Sequence, residues 1–97
     1  MAENNRISRT VVVTSELGLH ARPAALIARM ASSFAAEIFL TPEGGEPADA
    51  KSILSLLMLG APCGTELTLS VNCSDSAVAT QAVQEISGLF ATGFDEE

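Results

Sequence analysis

Ninety-seven residues, 47% of them hydrophobic, suffice for one domain with a single modest core and not for two. A formal net charge of −7 with only five basic residues argues against nucleic acid, whose binding needs a basic surface to displace counterions. No apolar stretch approaches the ~20 residues that cross a bilayer, and the polar start Met1-Ala2-Glu3-Asn4-Asn5 is not a signal peptide; the expectation is a cytoplasmic monomer without membrane insertion.

Taken in chain order, Thr10 to Thr14 is β-branched throughout and predicts a strand, and Gly18 marks the turn into a first helix. Pro23 dates that helix start, since a proline in the first turn gives up an N–H that had no partner anyway. Leu26, Ile27, Met30 and Phe34 then recur among alanines as one apolar stripe, carrying the helix to about Phe34. Glu37 to Thr41 predicts a second strand, the turn-rich Pro42-Glu43-Gly44-Gly45-Glu46-Pro47 a hairpin, and Ala48 to Ala50 its short return strand. Ser52 stands as the N-cap of a short helix, and Gly60 to Gly64 is a loop. From Glu66 to Asn72 the chain alternates, with Leu67, Leu69 and Val71 on a core face and Glu66, Thr68, Ser70 and Asn72 on a wet one. Ser74 or Asp75 caps a last helix whose buried stripe is Val78, Ala82, Ile86 and Leu89, with Val83 and Phe90. Residues 1–97 form one domain, with loose ends at 1–6 and 92–97. The order βαββαβα points to an α+β fold: an antiparallel sheet covered by helices on one face, an open-faced sandwich.

Cys63 and Cys73 match no zinc spacing and are read as free thiols, and no metal or other cofactor is expected. From Ile53 to Leu59 every residue but Ser55 is apolar, too many for two helical turns to bury on one stripe. One arrangement turns Ile53 and Leu56 inward and leaves Leu54 and Leu57 as an exposed partner patch; the alternative buries the whole segment under a loop.

The chemistry concentrates at His20, the only histidine. At the cap it sits ahead of free backbone N–H groups and the positive end of the helix dipole, which favour an anion over an imidazolium. A neutral imidazole is a nucleophile, and the planar donor fork of Arg22 can brace phosphate oxygens beside it. On the residues alone, a capping histidine and a solvated arginine explain the same pattern.

The stretch Gly18-Leu19-His20-Ala21-Arg22-Pro23-Ala24-Ala25 closely resembles the active-site signature of the histidine-containing phosphocarrier protein (HPr) family of the bacterial phosphoenolpyruvate-dependent sugar phosphotransferase system. Ala50-Lys51-Ser52-Ile53-Leu54-Ser55-Leu56-Leu57-Met58-Leu59-Gly60, with Gly64-Thr65, is similar to the family's regulatory-serine segment. The resemblance implies the open-faced sandwich with four strands and three helices over essentially the whole chain. It also implies that His20 accepts a phosphoryl group from phosphorylated enzyme I on its δ1 nitrogen. The backbone N–H groups of Ala21 and Arg22 and the Arg22 guanidinium then stabilise that group before it passes to an enzyme IIA component. By the same resemblance Ser52 is the position modified by HPr kinase/phosphorylase where that enzyme exists, and Arg29, Ile53, Leu54 and Leu57 belong to the docking surface. Such a protein is a carrier, a substrate of other enzymes, rather than a catalyst with turnover of its own. Ser32 and Ser55 depart from the enteric type, which carries basic residues there, so the apolar patch bears more of the docking. Two further readings stand beside sugar uptake: a nitrogen-related regulatory carrier of the same family, and a purely regulatory protein switched at Ser52, against which the intact His20 and Arg22 argue. An acyl carrier protein is set aside, because Asp75-Ser76-Ala77 is not its Asp-Ser-Leu motif and the chain carries clear strands.

Overall fold

In the computed structural model, which describes residues 5–95, the chain runs β1 (Asn5–Val12), α1 (Ala21–Ser32), β2 (Glu37–Pro42), β3 (Ala48–Asp49), α2 (Ile53–Met58), β4 (Glu66–Cys73) and α3 (Ser76–Ala91), then a 3-10 turn at Gly93–Asp95. The strands form one antiparallel sheet in the order β1-β4-β2-β3. Four strands with three helices make the expected open-faced sandwich.

The alternation of β4 decides the layering, because its register with both neighbours lines up the inward rows. Val71 stands between Ile7 and Ile38, Leu69 between Arg9 and Leu40, and Leu67 between Val11 and Pro42. Ile38, Leu40, Leu67, Leu69 and Val71 are fully buried, each side chain contributing about 1.5–3 kcal/mol. Arg9 falls in an inward row at the sheet edge and reaches past the core to donate to Ser87 Oγ on α3 at 2.9 Å. The outward face is not wholly wet: Ser70 is buried because β4 is central, with Ser8 and Phe39 beside it in register.

Pairing with β4 also brings the N-terminal end, expected to be loose, into the sheet. Asn5 and Arg6 belong to β1, opposite Cys73 and Asn72, which starts the strand well before the β-branched run at Thr10. At the other end Phe94 is buried and meets the Phe90 ring edge-to-face, so 92–95 is anchored; residues 1–4, 96 and 97 lie outside the described residues.

The helix faces differ from the predicted stripes in one consistent way. In α1, which ends at Ser32 rather than near Phe34, the buried residues are Pro23, Ala24, Ile27, Ala28 and Ala31, while Leu26, Met30 and, beyond the helix, Phe34 are only partly buried against the core. Small side chains let the helix backbone approach the core, and the long ones seal its margins. Likewise Ala79 is buried in α3, with Val78 and Leu89 at the edge, and Asp75 is the cap, accepting from the N–H groups of Ala77 and Val78. In α2 only Leu56 is buried; Ile53, expected to point inward, is exposed along with Leu54 and Leu57. The segment is therefore not covered by a loop. Both cysteines are free thiols, Cys63 exposed and Cys73 buried. No helix among the described residues is long and apolar enough to cross a membrane.

Candidate functional site

The loop that carries His20 is held by backbone bonds to a second loop far along the chain. Val13 N–H donates to the Thr65 carbonyl at 2.9 Å, Gly64 N–H to the Val13 carbonyl at 2.7 Å, and Leu19 N–H to the Ala61 carbonyl at 2.8 Å. Gly18 makes this close approach possible: its φ is +74°, and a Cβ there would stand 2.5 Å from the Ala61 oxygen. Gly18→Ala is therefore expected to cost about 2–3 kcal/mol from the left-handed backbone and the collision together. For a domain of this size that lowers the melting temperature by roughly 10–20 °C, read by thermal unfolding followed by circular dichroism.

His20 occupies the N-cap of α1 in extended conformation, φ −87° and ψ −169°, and its carbonyl accepts the first helical bond from Ala24 N–H at 3.0 Å. The N–H groups of Ala21 and Arg22 lie ahead of that bond, and Pro23 in the third position has none to offer. The proline thus stands inside the first turn, two residues after the helix begins. No acidic side chain occupies this turn to compete for the donors. His20 and Arg22 line one open cleft of about 500 Å³, together with Ser15, Glu16, Leu17 and Asp95. A half-buried imidazole at a helix N-cap and a guanidinium that share one opening can hold a phosphate and let phosphorus reach the ring nitrogen.

The other expected site residues lie elsewhere. Arg29 shares a separate groove between α1 and α2 with Ser32, Lys51 and Ile53; it does not enter the His20 cleft. Lys51 Nζ donates to the Phe34 carbonyl just past the end of α1, where the helix dipole is negative. Ser52 is the N-cap of α2, and its Oγ accepts from Ser55 N–H at 3.1 Å. Ser52→Ala is expected to cost about 1 kcal/mol, visible as faster amide exchange in α2 with little change in the sheet. Beyond the cap, Leu54 is 67% and Met58 77% exposed, and Leu17, in the loop before α1, is 77% exposed.

Leu17, Met58, Ser15, Glu16 and Asp95 were not singled out from the sequence. Nearness to His20 was the one signal for residues 15–17. For Asp95 it was the phenylalanine in an otherwise polar tail.

A protein-family model for the phosphorylation site of the HPr component of the phosphotransferase system (PTS) matches residues 7–92. The chain belongs to the HPr family. It is 40% identical over 91 residues to phosphocarrier protein HPr of Treponema pallidum, covering 94% of this chain and 99% of that one. Phosphocarrier protein NPr of Escherichia coli is 35% identical over 91 residues, with 94% and 98% coverage. Among solved structures, HPr from Thermoanaerobacter tengcongensis superposes with a TM-score of 0.84 at 32% identity, covering 94% of this chain and 98% of that one. HPr from Bacillus anthracis gives 0.77 at 32%, with 88% and 96% coverage. The HPr fold therefore extends over essentially all of the described residues.

Proposed function

We propose that this HPr-family protein carries a phosphoryl group on His20 between enzyme I and enzyme IIA components of the sugar branch. The observation that carries the reading is the placement of His20 at the N-cap of α1, sharing its cleft with Arg22 and directly preceding the first two N–H groups of the helix. Enzyme I, charged from phosphoenolpyruvate, docks with its phosphoryl group in line with the His20 δ1 nitrogen. A bond forms from that nitrogen to phosphorus as the bond to enzyme I breaks. Positioning and charge stabilisation do most of the work in such a transfer, so little further machinery is required of the carrier. The exposed Leu17, Ile53, Leu54, Leu57 and Met58 supply the docking surface, and Arg29 at its margin steers acidic partners.

The capping geometry of Ser52 favours a second, regulatory layer on the same protein. A phosphate added there by HPr kinase/phosphorylase places roughly 1.5 to 2 negative charges beside the apolar docking residues of α2, changing partner choice without refolding the domain. Incubation with enzyme I, magnesium and phosphoenolpyruvate, followed by intact-mass and peptide analysis, tests the carrier reading. One acid-labile, base-stable phosphate on the peptide holding His20 is the expected result; no labelling by a competent cognate enzyme I overturns it. Labelling by enzyme I of the nitrogen-related system in preference to that of the sugar system reassigns the branch.

A further inference from the structure

Asp95, like Glu16, places a negative charge beside His20 and Arg22 in the wall of their cleft. It is held there by an uncommon run of backbone: Gly93, Phe94 and Asp95 all adopt positive φ, 64°, 60° and 56°. Glycine does so without penalty, whereas a phenylalanine and an aspartate in succession are both disfavoured because each carries a Cβ. Disfavoured backbone persists where its surroundings impose it. Here the Phe94 ring is 1% exposed and packs edge-to-face on Phe90 at a centroid distance of 4.9 Å. Asp95 N–H donates to the Thr92 carbonyl at 3.2 Å, and Thr92 N–H to that of Gly88 at 3.1 Å. Thr14, which also borders the cleft, donates from its hydroxyl to the Phe90 carbonyl at 3.4 Å, tying the loop before His20 to the helix that bears the aromatic plug.

We propose that this turn sets the charge of the His20 site. Phe94 fixes Asp95 in the cleft wall, where its carboxylate opposes a bound phosphate and offsets part of the attraction of Arg22. Glu16 borders the same cleft but lies in a loop with no comparable plug. Lower affinity for phosphate follows from the charges alone. On the carrier reading given above, a second consequence follows: phosphohistidine gives up its phosphoryl group more readily, the P–N bond to His20 breaking as the acceptor's bond to phosphorus forms. Asp95 and Arg22 are both exposed, so the effect is modest and screened by salt.

The chain has a single histidine, so its ring-proton resonances report this site without assignment ambiguity. Full-length wild type, Asp95→Asn and Asp95→Glu are titrated with inorganic phosphate at constant ionic strength, about 0.1 M and then about 1 M, where the Debye length falls from about 10 to about 3 Å. Asp95→Asn is expected to bind phosphate about two- to fivefold more tightly at the lower ionic strength, the gap closing at the higher one. Asp95→Glu is expected to behave as wild type. Equal affinities at low salt, a gap that persists at high salt, or no phosphate response from any of the three proteins overturns the proposal. Failure of wild type to accept phosphate from enzyme I instead removes the carrier reading, and the phosphate titration still decides the role of Asp95.

Discussion

His20→Ala is expected to take up no acid-labile phosphate from enzyme I under conditions that label the wild type to completion. No second imidazole exists in the chain to take over. Other nucleophiles are unsuited to the exchange: the exposed Cys63 does not line the His20 cleft, Cys73 is buried, and the Ser52 hydroxyl is engaged in capping α2 on a different helix from that cleft. Loss of labelling is attributable to the nucleophile only if the domain stays folded. Backbone bonds from Val13, Leu19 and Gly64 hold the loop irrespective of the side chain at position 20, and α1 is anchored by Ala24, Ile27, Ala28 and Ala31. The variant should therefore unfold within about 1 kcal/mol of wild type, as measured by chemical denaturation. It should also remain a substrate for ATP-dependent modification at Ser52 if a kinase for that serine is supplied. Residual acid-labile phosphate on the variant places the acceptor elsewhere.

Replacing Arg22 by alanine is expected to slow phosphoryl transfer to His20 by about 100-fold, read by single-turnover labelling from phosphorylated enzyme I. Preorganised donors aimed at charge that develops during transfer typically contribute effects of this size. Among the described residues the guanidinium is the one cationic group lining the cleft, where Glu16 and Asp95 are acidic and supply no compensating charge when it is removed. Arg22→Lys should recover part of the rate, because lysine restores the charge without the planar fork that engages two phosphate oxygens. Arg22 is exposed, so neither variant should change the unfolding free energy by more than about 0.5 kcal/mol. If Arg22→Ala weakens enzyme I binding while leaving the single-turnover rate intact, the residue belongs to docking rather than to the transfer step.

Between these residues and Arg29 the structure draws a division that spacing along the helix did not. Arg22 and Arg29 lie seven residues apart on α1, yet one opens onto the His20 cleft and the other onto the groove facing α2. Charge near the histidine and charge near the exposed apolar residues of α2 can thus be varied independently. That separation suits a carrier whose chemistry must stay fixed while its partners change.

The sequence by itself determined what depends on neighbouring residues. Proline in the first turn, Ser52 ahead of an apolar run and the strict alternation of Leu67, Leu69 and Val71 act through local hydrogen bonds and side-chain period, so α1, α2 and β4 stand close to where they were predicted. His20 and Arg22 are two residues apart, and the helix cap that unites them is equally local. Tertiary structure decided whatever rests on distant pairing. β1 begins at Asn5 because β4 supplies partners up to Cys73, and Ser70 is buried because strands flank it on both sides. The alanine face of α1 turns inward because close approach of the backbone fills the core better than the longer side chains beside it. Asp95 stands in the wall of the His20 cleft next to Phe94, whose ring packs on Phe90. A sequence read locally shows an acidic tail at that point; the tertiary structure makes it part of the site.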